Sequence, residues 1–176
     1  MIWLRVAIIL LVAVLLQVTI VPALDVRGAR PDLLLLAAAC MAAREHARGG
    51  RRWRAFWIGW AAGLLADVYA VGSSAPFGLT ALAFGLVAIL VSKMGEDLFV
   101  ESCVAQWLIF APVCVGAHGL LALARAALGG PALGIGLRAA LGTGLYSGLV
   151  APLVFAALKP FTRRFGTYPR EGLRRA

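Results

Sequence analysis

Long apolar stretches follow one another along this chain, and charged residues are almost confined to the breaks between them. Six stretches are separable, over about Trp3–Val21, Pro31–Ala43, Ala55–Val71, Phe77–Ser92, Leu98–Leu123 and Ile135–Leu158. A water-soluble domain carries about 25% charged residues. This chain carries 14%, against 62% hydrophobic, and its mean hydropathy is +0.90. A membrane-crossing helix takes about 20 residues, so six of them use most of the 176. The remainder is too short for an independent soluble catalytic domain. The expected fold is an all-α integral membrane protein, a six-transmembrane-helix bundle with both termini cytoplasmic. Residues 1–158 form its membrane domain and 159–176 a basic cytoplasmic tail.

Within the first stretch, Arg5, the apolar run after it and the closing Val21-Pro22-Ala23 have the outline of a signal peptide. Its apolar run starts already at Ile2 and more spans follow, so a retained first helix is expected. Helix 2 is expected to open on Pro31, because proline lacks an N–H where the first turn has no use for one. Its length of about 20 Å falls short of the roughly 30 Å hydrocarbon core. Arg44 to Arg48 extend it by a turn, with the arginines snorkelling to the surface. Pro112 predicts a kink in helix 5, and Gly129-Gly130-Pro131 a turn. Cys40, Cys103 and Cys114 lie inside apolar runs. Their odd number and spacing fit neither a zinc site nor a disulfide framework, so they read as packing residues.

A net charge of +9 and a pI near 10.8 would suit nucleic acid, and the placement of the charges decides otherwise. With six spans, Arg5, Arg44, Arg48, Arg51, Arg52, Arg54, Lys93 and the tail's Lys159, Arg163, Arg164, Arg170, Arg174 and Arg175 share one side. Arg27, Arg30, Arg125 and Arg138 share the other. The positive-inside rule puts the richer side in the cytoplasm. Were helix 2 not to cross, the basic loop would join Arg27 and Arg30 outside, so the pattern argues that it crosses. The loop carrying Arg44, Arg48, Arg51, Arg52 and Arg54 then faces anionic lipid headgroups, each worth about 1 kcal/mol near the surface. No nucleic-acid partner is expected.

Asp67 is the most informative charge, since a carboxylate within a span is costly. Gly59, Gly63 and Asp67 recur every fourth residue and share one helix face. Gly59-x-x-x-Gly63 permits close approach of another helix. Asp67 either faces the bundle interior, bonding a neighbour or partner, or stands in headgroup water. His118 lies at similar depth in helix 5, and a His118–Asp67 contact follows only if helices 3 and 5 are neighbours. Trp53, Phe56, Trp57 and Trp60 form a stripe beside the basic loop, as an interfacial aromatic belt does. A ligand cage is the alternative reading. Gly142, Gly144 and Gly148 suggest another close contact in helix 6.

Chemistry in this chain finds little support. Gly144-Leu145-Tyr146-Ser147-Gly148 has one residue more than the serine motif of rhomboid-type proteases, and His118 precedes the serine instead of following it. No nucleotide fingerprint or metal-ligand cluster is present. No catalytic residue, cofactor or metal is expected.

Several segments together resemble the rod shape-determining protein MreD family. They are Gln17-Val18-Thr19-Ile20-Val21-Pro22, Arg30-Pro31-Asp32-Leu33-Leu34-Leu35, Gly59-x-x-x-Gly63-Leu64-Leu65-x-Asp67 and Pro76-Phe77-Gly78-Leu79-x-Ala81-Leu82. The resemblance is best from about Leu16 to Leu90 and rests on hydrophobicity and length beyond. It implies a non-enzymatic inner-membrane scaffold of the bacterial elongation machinery, placing side-wall peptidoglycan synthesis. The implied partner is an MreC-like single-span protein, and through it an MreB-like filament, a RodA-type glycosyltransferase and a class B penicillin-binding protein. Gly59, Gly63 and Asp67 would then pack internally or against the partner's span, with Pro31 and Asp32 fixing the helix 2 entry at the outer surface and Gly78 a further partner or helix-packing residue. The alternative is the substrate-binding component of an energy-coupling-factor vitamin transporter, also a small basic six-span bundle. The Ala-x-x-x-Ala contact common in helix 1 of such proteins is absent here, and the outer half offers few polar groups for a vitamin.

Overall fold

The computed structural model describes residues 2–26, 28–46, 52–69, 76–94, 103–130 and 132–163. They form six α-helices: α1 (Ile2–Thr19), α2 (Leu33–His46), α3 (Arg52–Tyr69), α4 (Leu79–Lys93), α5 (Cys103–Ala127) and α6 (Leu133–Arg163). A single 3-10 turn, Val21–Leu24, follows α1 at Pro22. Among the described residues there is no strand, only an isolated bridge between Val26 and Ala29.

The expected order of helices is present, with shifted ends. α2 begins at Leu33 and not at Pro31. The Asp32 side chain accepts from the Leu35 amide at 2.9 Å, so aspartate takes the N-cap and proline stands outside it. α5 runs unbroken through Pro112, which is exposed. Leu98, the expected start of that helix, lies outside the described residues, as do the turn 71–75 and the tail from 164 onward.

α2 is the centre of the bundle: every residue from Leu34 to Ala43 is buried. It packs on α1, α3, α4 and α6, while α3 pairs with α4 and α5 with α6 as two tight hairpins. Glycines set those pairings. A Cβ on Gly63 would lie 2.5 Å from Ala81 Cα and from the Thr80 carbonyl oxygen, and one on Gly59 would strike the Phe84 backbone. In the other hairpin, a Cβ on Gly144 would meet the Val115 backbone at 2.6 Å, and one on Gly148 the Ala111 methyl at 2.6 Å. Helices this close gain dispersion contact along the whole backbone.

Alanines crowd the helix contacts beside a few buried large side chains such as Leu34, Leu35, Leu36, Phe84 and Phe110, and many other large apolar side chains face outward. Ala37, Ala38, Ala39, Ala42, Ala43, Ala55, Ala62 and Ala81 are buried, whereas Leu4, Leu11, Leu86, Leu149 and Leu153 stand outside. In water each exposed leucine forfeits about 25 cal/mol per Å² of apolar surface. In lipid it forfeits nothing, and small residues at the contacts hold the helices together. Two helical segments, Gln106–Ala127 and Leu133–Leu158, are long and apolar enough to cross a membrane alone. The apolar parts of α1, α2 and α4 are shorter.

Candidate functional site

Helix N-termini expose amides that the helix itself cannot satisfy. At α2 these amides are met by side chains of two other helices and by Asp32. Gln17 of α1 accepts from the Leu33 amide through Oε1 (2.8 Å) and donates through Nε2 to the Pro31 carbonyl (3.2 Å). Ser147 of α6, fully buried, accepts from the Asp32 amide at 2.9 Å. Asp32 Oδ1 caps its own helix, and its Oδ2 lies 3.4 Å from Nε2 of His118 on α5. Pro31 is itself fully buried. This junction therefore joins α1, α2, α5 and α6.

A second junction joins α3 to α4. Asp67 Oδ2 accepts from the Gly78 amide at 2.8 Å and, more weakly, from the Ala81 amide at 3.4 Å. Gly78 is the N-cap of α4 at φ 95°, a left-handed conformation that costs a residue with a Cβ about 1 kcal/mol or more. Glycine has no side chain to cap α4, so the acceptor comes from α3.

The two junctions share one end of the bundle with a cavity of about 410 Å³. Asp32 and Leu34 of α2, Tyr69 of α3, Thr80 and Phe84 of α4, His118, Leu121 and Arg125 of α5, and Ile135, Ala139 and Thr143 of α6 contribute to its wall, with Gln17 of α1. Helix lengths explain the space. α5 continues nine residues past His118, about 13 Å, and α6 begins fourteen residues before Ser147, about 21 Å. The α5–α6 hairpin thus overshoots the α2 N-terminus. His118 Nε2 is off the line of a hydrogen bond to Asp32, and it and Arg125 Nε are buried without a partner.

The loop before α2 is tied separately. Asp25 pairs with Arg30 Nε at 2.7 Å and accepts from the Gly28 amide at 2.7 Å. The Arg30 hydrogen bond, helped by the Gly28 amide, holds the Asp25 carboxyl below its usual 3.8.

The residues singled out in the sequence fall as follows. Gly59, Gly63 and Asp67 all face α4, so that face is occupied inside the chain. Asp67 is half-buried and engaged with backbone amides, not left to headgroup water. The acidic neighbour of His118 is Asp32, because α5 packs on α4 and α6 and the α2 N-terminus reaches it before α3 does. Trp53, Phe56, Trp57 and Trp60 stack edge-to-face in series, at centroid distances of 6.0, 5.6 and 5.4 Å. Phe56 leans over Gly85 of α4, and Trp53 and Trp57 are exposed. In the basic loop, Arg54 is exposed, Arg44 and Arg52 belong to α2 and α3, and Arg48 and Arg51 lie outside the described residues. Sequence reasoning missed the parts played by Gln17 and Ser147. A glutamine near the end of an apolar helix was the available signal for one. A serine 115 residues distant from the amide it meets gave none.

A small all-helical bundle with small residues at its helix contacts, many large apolar side chains facing outward and its polar side chains tied to helix ends belongs to the class of membrane proteins. The sequence model of the family described as rod shape-determining protein MreD matches residues 1–127, and the chain belongs to that family. The match takes in α1 to α5 and implies a role in determining cell shape. It lends nothing to the vitamin-transporter alternative. No curated protein and no solved structure matches the chain.

Proposed function

We propose that this chain is a non-enzymatic scaffold of the bacterial elongation machinery, acting in the inner membrane through an MreC-like single-span partner to regulate side-wall peptidoglycan synthesis. The family match carries this reading. The chain crosses the membrane six times with both termini in the cytoplasm, the spans lie within 1–158, and the basic tail is 159–176. The asymmetry of Lys and Arg supports that topology. Burial of α2 supports the crossing of a helix too short to face lipid alone: its neighbours cover it, so its length need not match the bilayer. Asp67, Asp32, Gln17 and Ser147 all bond helix-end backbone, which supports an architectural role for the polar side chains. Arg54 and its neighbours in the basic loop meet anionic headgroups, and an MreB-like filament, a RodA-type glycosyltransferase and a class B penicillin-binding protein are reached indirectly.

The test is depletion combined with capture. Depleting the chain in its rod-shaped host should round the cells, and the tagged chain should retain the MreC-like protein in mild detergent. Rods that persist through depletion, or an MreC-like protein that washes through, would overturn the reading. Because Gly63 and Asp67 pack against α4, partner capture is best probed on lipid-facing positions such as Leu11 and Leu15 of α1.

A further inference from the structure

Among the described residues, three buried side-chain nitrogens have no hydrogen-bond partner: Trp107 Nε1, His118 Nε2 and Arg125 Nε. Two of the three line one cavity. An orphaned buried donor forgoes about 1–3 kcal/mol, more when charged, and Arg125 Nε is such a donor on a residue of the cavity wall, with His118 beside it. Both sit on α5 seven residues apart, which is two helical turns and one face. Arginine keeps its charge at all relevant pH. Its guanidinium suits the oxygens of a phosphate group.

The rest of the wall sets the remaining chemistry. Leu34, Phe84, Leu121 and Ile135 give an apolar side, and Thr80 and Thr143 add hydroxyls. A volume of about 410 Å³ lies within the roughly 300–1,000 Å³ of small-molecule sites. Asp32 Oδ1 is bound to the Leu35 amide, while Oδ2 lies 3.4 Å from His118 Nε2 without a hydrogen bond, so Arg125 is the group that must offset an anion's charge here. We propose that this cavity is a binding site for a phosphate-bearing ligand. Arg125 and His118 hold its oxygens, and the apolar wall accommodates whatever hydrocarbon the phosphate carries. The site is distinct from the basic loop, which lies at the opposite end of α2 and α3.

The experiment uses the full chain, purified in detergent and stripped of lipid. Phosphatidylglycerol and inorganic phosphate are titrated separately, with thermal unfolding and native mass spectrometry as readouts. The expected result is saturable binding of one phosphatidylglycerol per chain with a rise in Tm. Arg125→Gln should weaken it at least ten-fold, and His118→Ala in the same direction. Arg138→Gln, an exposed cation on α6 outside the cavity wall, should leave it unchanged. Ala139→Phe should abolish binding by filling the space while preserving the unliganded Tm, which keeps the test valid if Arg125→Gln does not fold. Saturation by inorganic phosphate with the same Arg125 dependence would support the site and assign its ligand to the soluble pool. Binding of neither probe would overturn the proposal. So would binding that Arg125→Gln and Ala139→Phe leave intact.

Discussion

Asp67 and Asp32 stand near the starts of two helices at the same end of the bundle, yet they are built into it differently. Asp67 lies on α3 and serves α4, with a left-handed glycine at the helix start and glycines along the shared face. Both groups that donate to it are backbone amides of α4's start, so the contact has little slack. Asp32 serves its own helix with one oxygen and leaves the other beside His118, at the edge of a cavity. Side chains from α1 and α6 complete its surroundings. One carboxylate closes a seam, and the other borders an empty volume. The charge of an intramembrane acid therefore says less about its role than the groups placed around it.

That contrast can be tested by breaking each side. The largest effect is expected from Gly63→Leu. The new side chain would meet the Ala81 and Thr80 backbone, which cannot move without parting α3 from α4. A loss of about 3 kcal/mol or more is expected, read as a fall in Tm in detergent. An unchanged Tm would show that the seam is not tight. Next, Asp67→Ala strands the Gly78 and Ala81 amides at about 1–3 kcal/mol. Asp32→Ala removes an N-cap worth about 1 kcal/mol. Asp32→Asn should restore most of the second loss, since asparagine caps as well as aspartate. If Asp32→Ala were the more damaging of the two, the division between seam and cavity edge would be reversed. The smallest effect is expected at Asp25, the solvent-exposed member of the set. Its folded pKa is depressed, so its pairing with Arg30 contributes fully above the unfolded value of 3.8 and is lost as pH falls below it. The protection of the Gly28 amide, its exchange rate divided into the intrinsic rate at each pH, should fall as the pH drops through that range, and Asp25→Asn should remove this dependence of the protection. A pH response that survives Asp25→Asn would assign it to another group.

Much of this architecture was legible in the residues. The succession of apolar runs gave six helices, and Gly59-x-x-x-Gly63 with Asp67 marked a packed face, because spacing along one helix is a local property. What that face packs against is not local, so internal and external packing looked alike until α4 was seen there. Proline's suitability for a first turn points to Pro31 as the start of α2, whereas the Asp32 side chain, by accepting from the Leu35 amide, sets the start at Leu33. Ser147 and His118 meet Asp32 across 115 and 86 positions of chain, and no periodicity encodes such a meeting. The cavity was hidden for the same reason. It arises from helices of unequal length meeting at unequal heights, which only the assembled bundle reveals.

The contrast between small residues at the helix contacts and leucines facing outward also determines how freely the sequence can drift. Exchanging leucine for isoleucine, valine or phenylalanine at Leu11, Leu86, Leu149 or Leu153 changes only what touches lipid tails, and the tails do not discriminate among them. Adding two methyl groups at Ala62 or Ala81 pushes one helix away from another. The helix contacts are therefore specified largely by their smallest residues, and the leucines that face outward are nearly interchangeable.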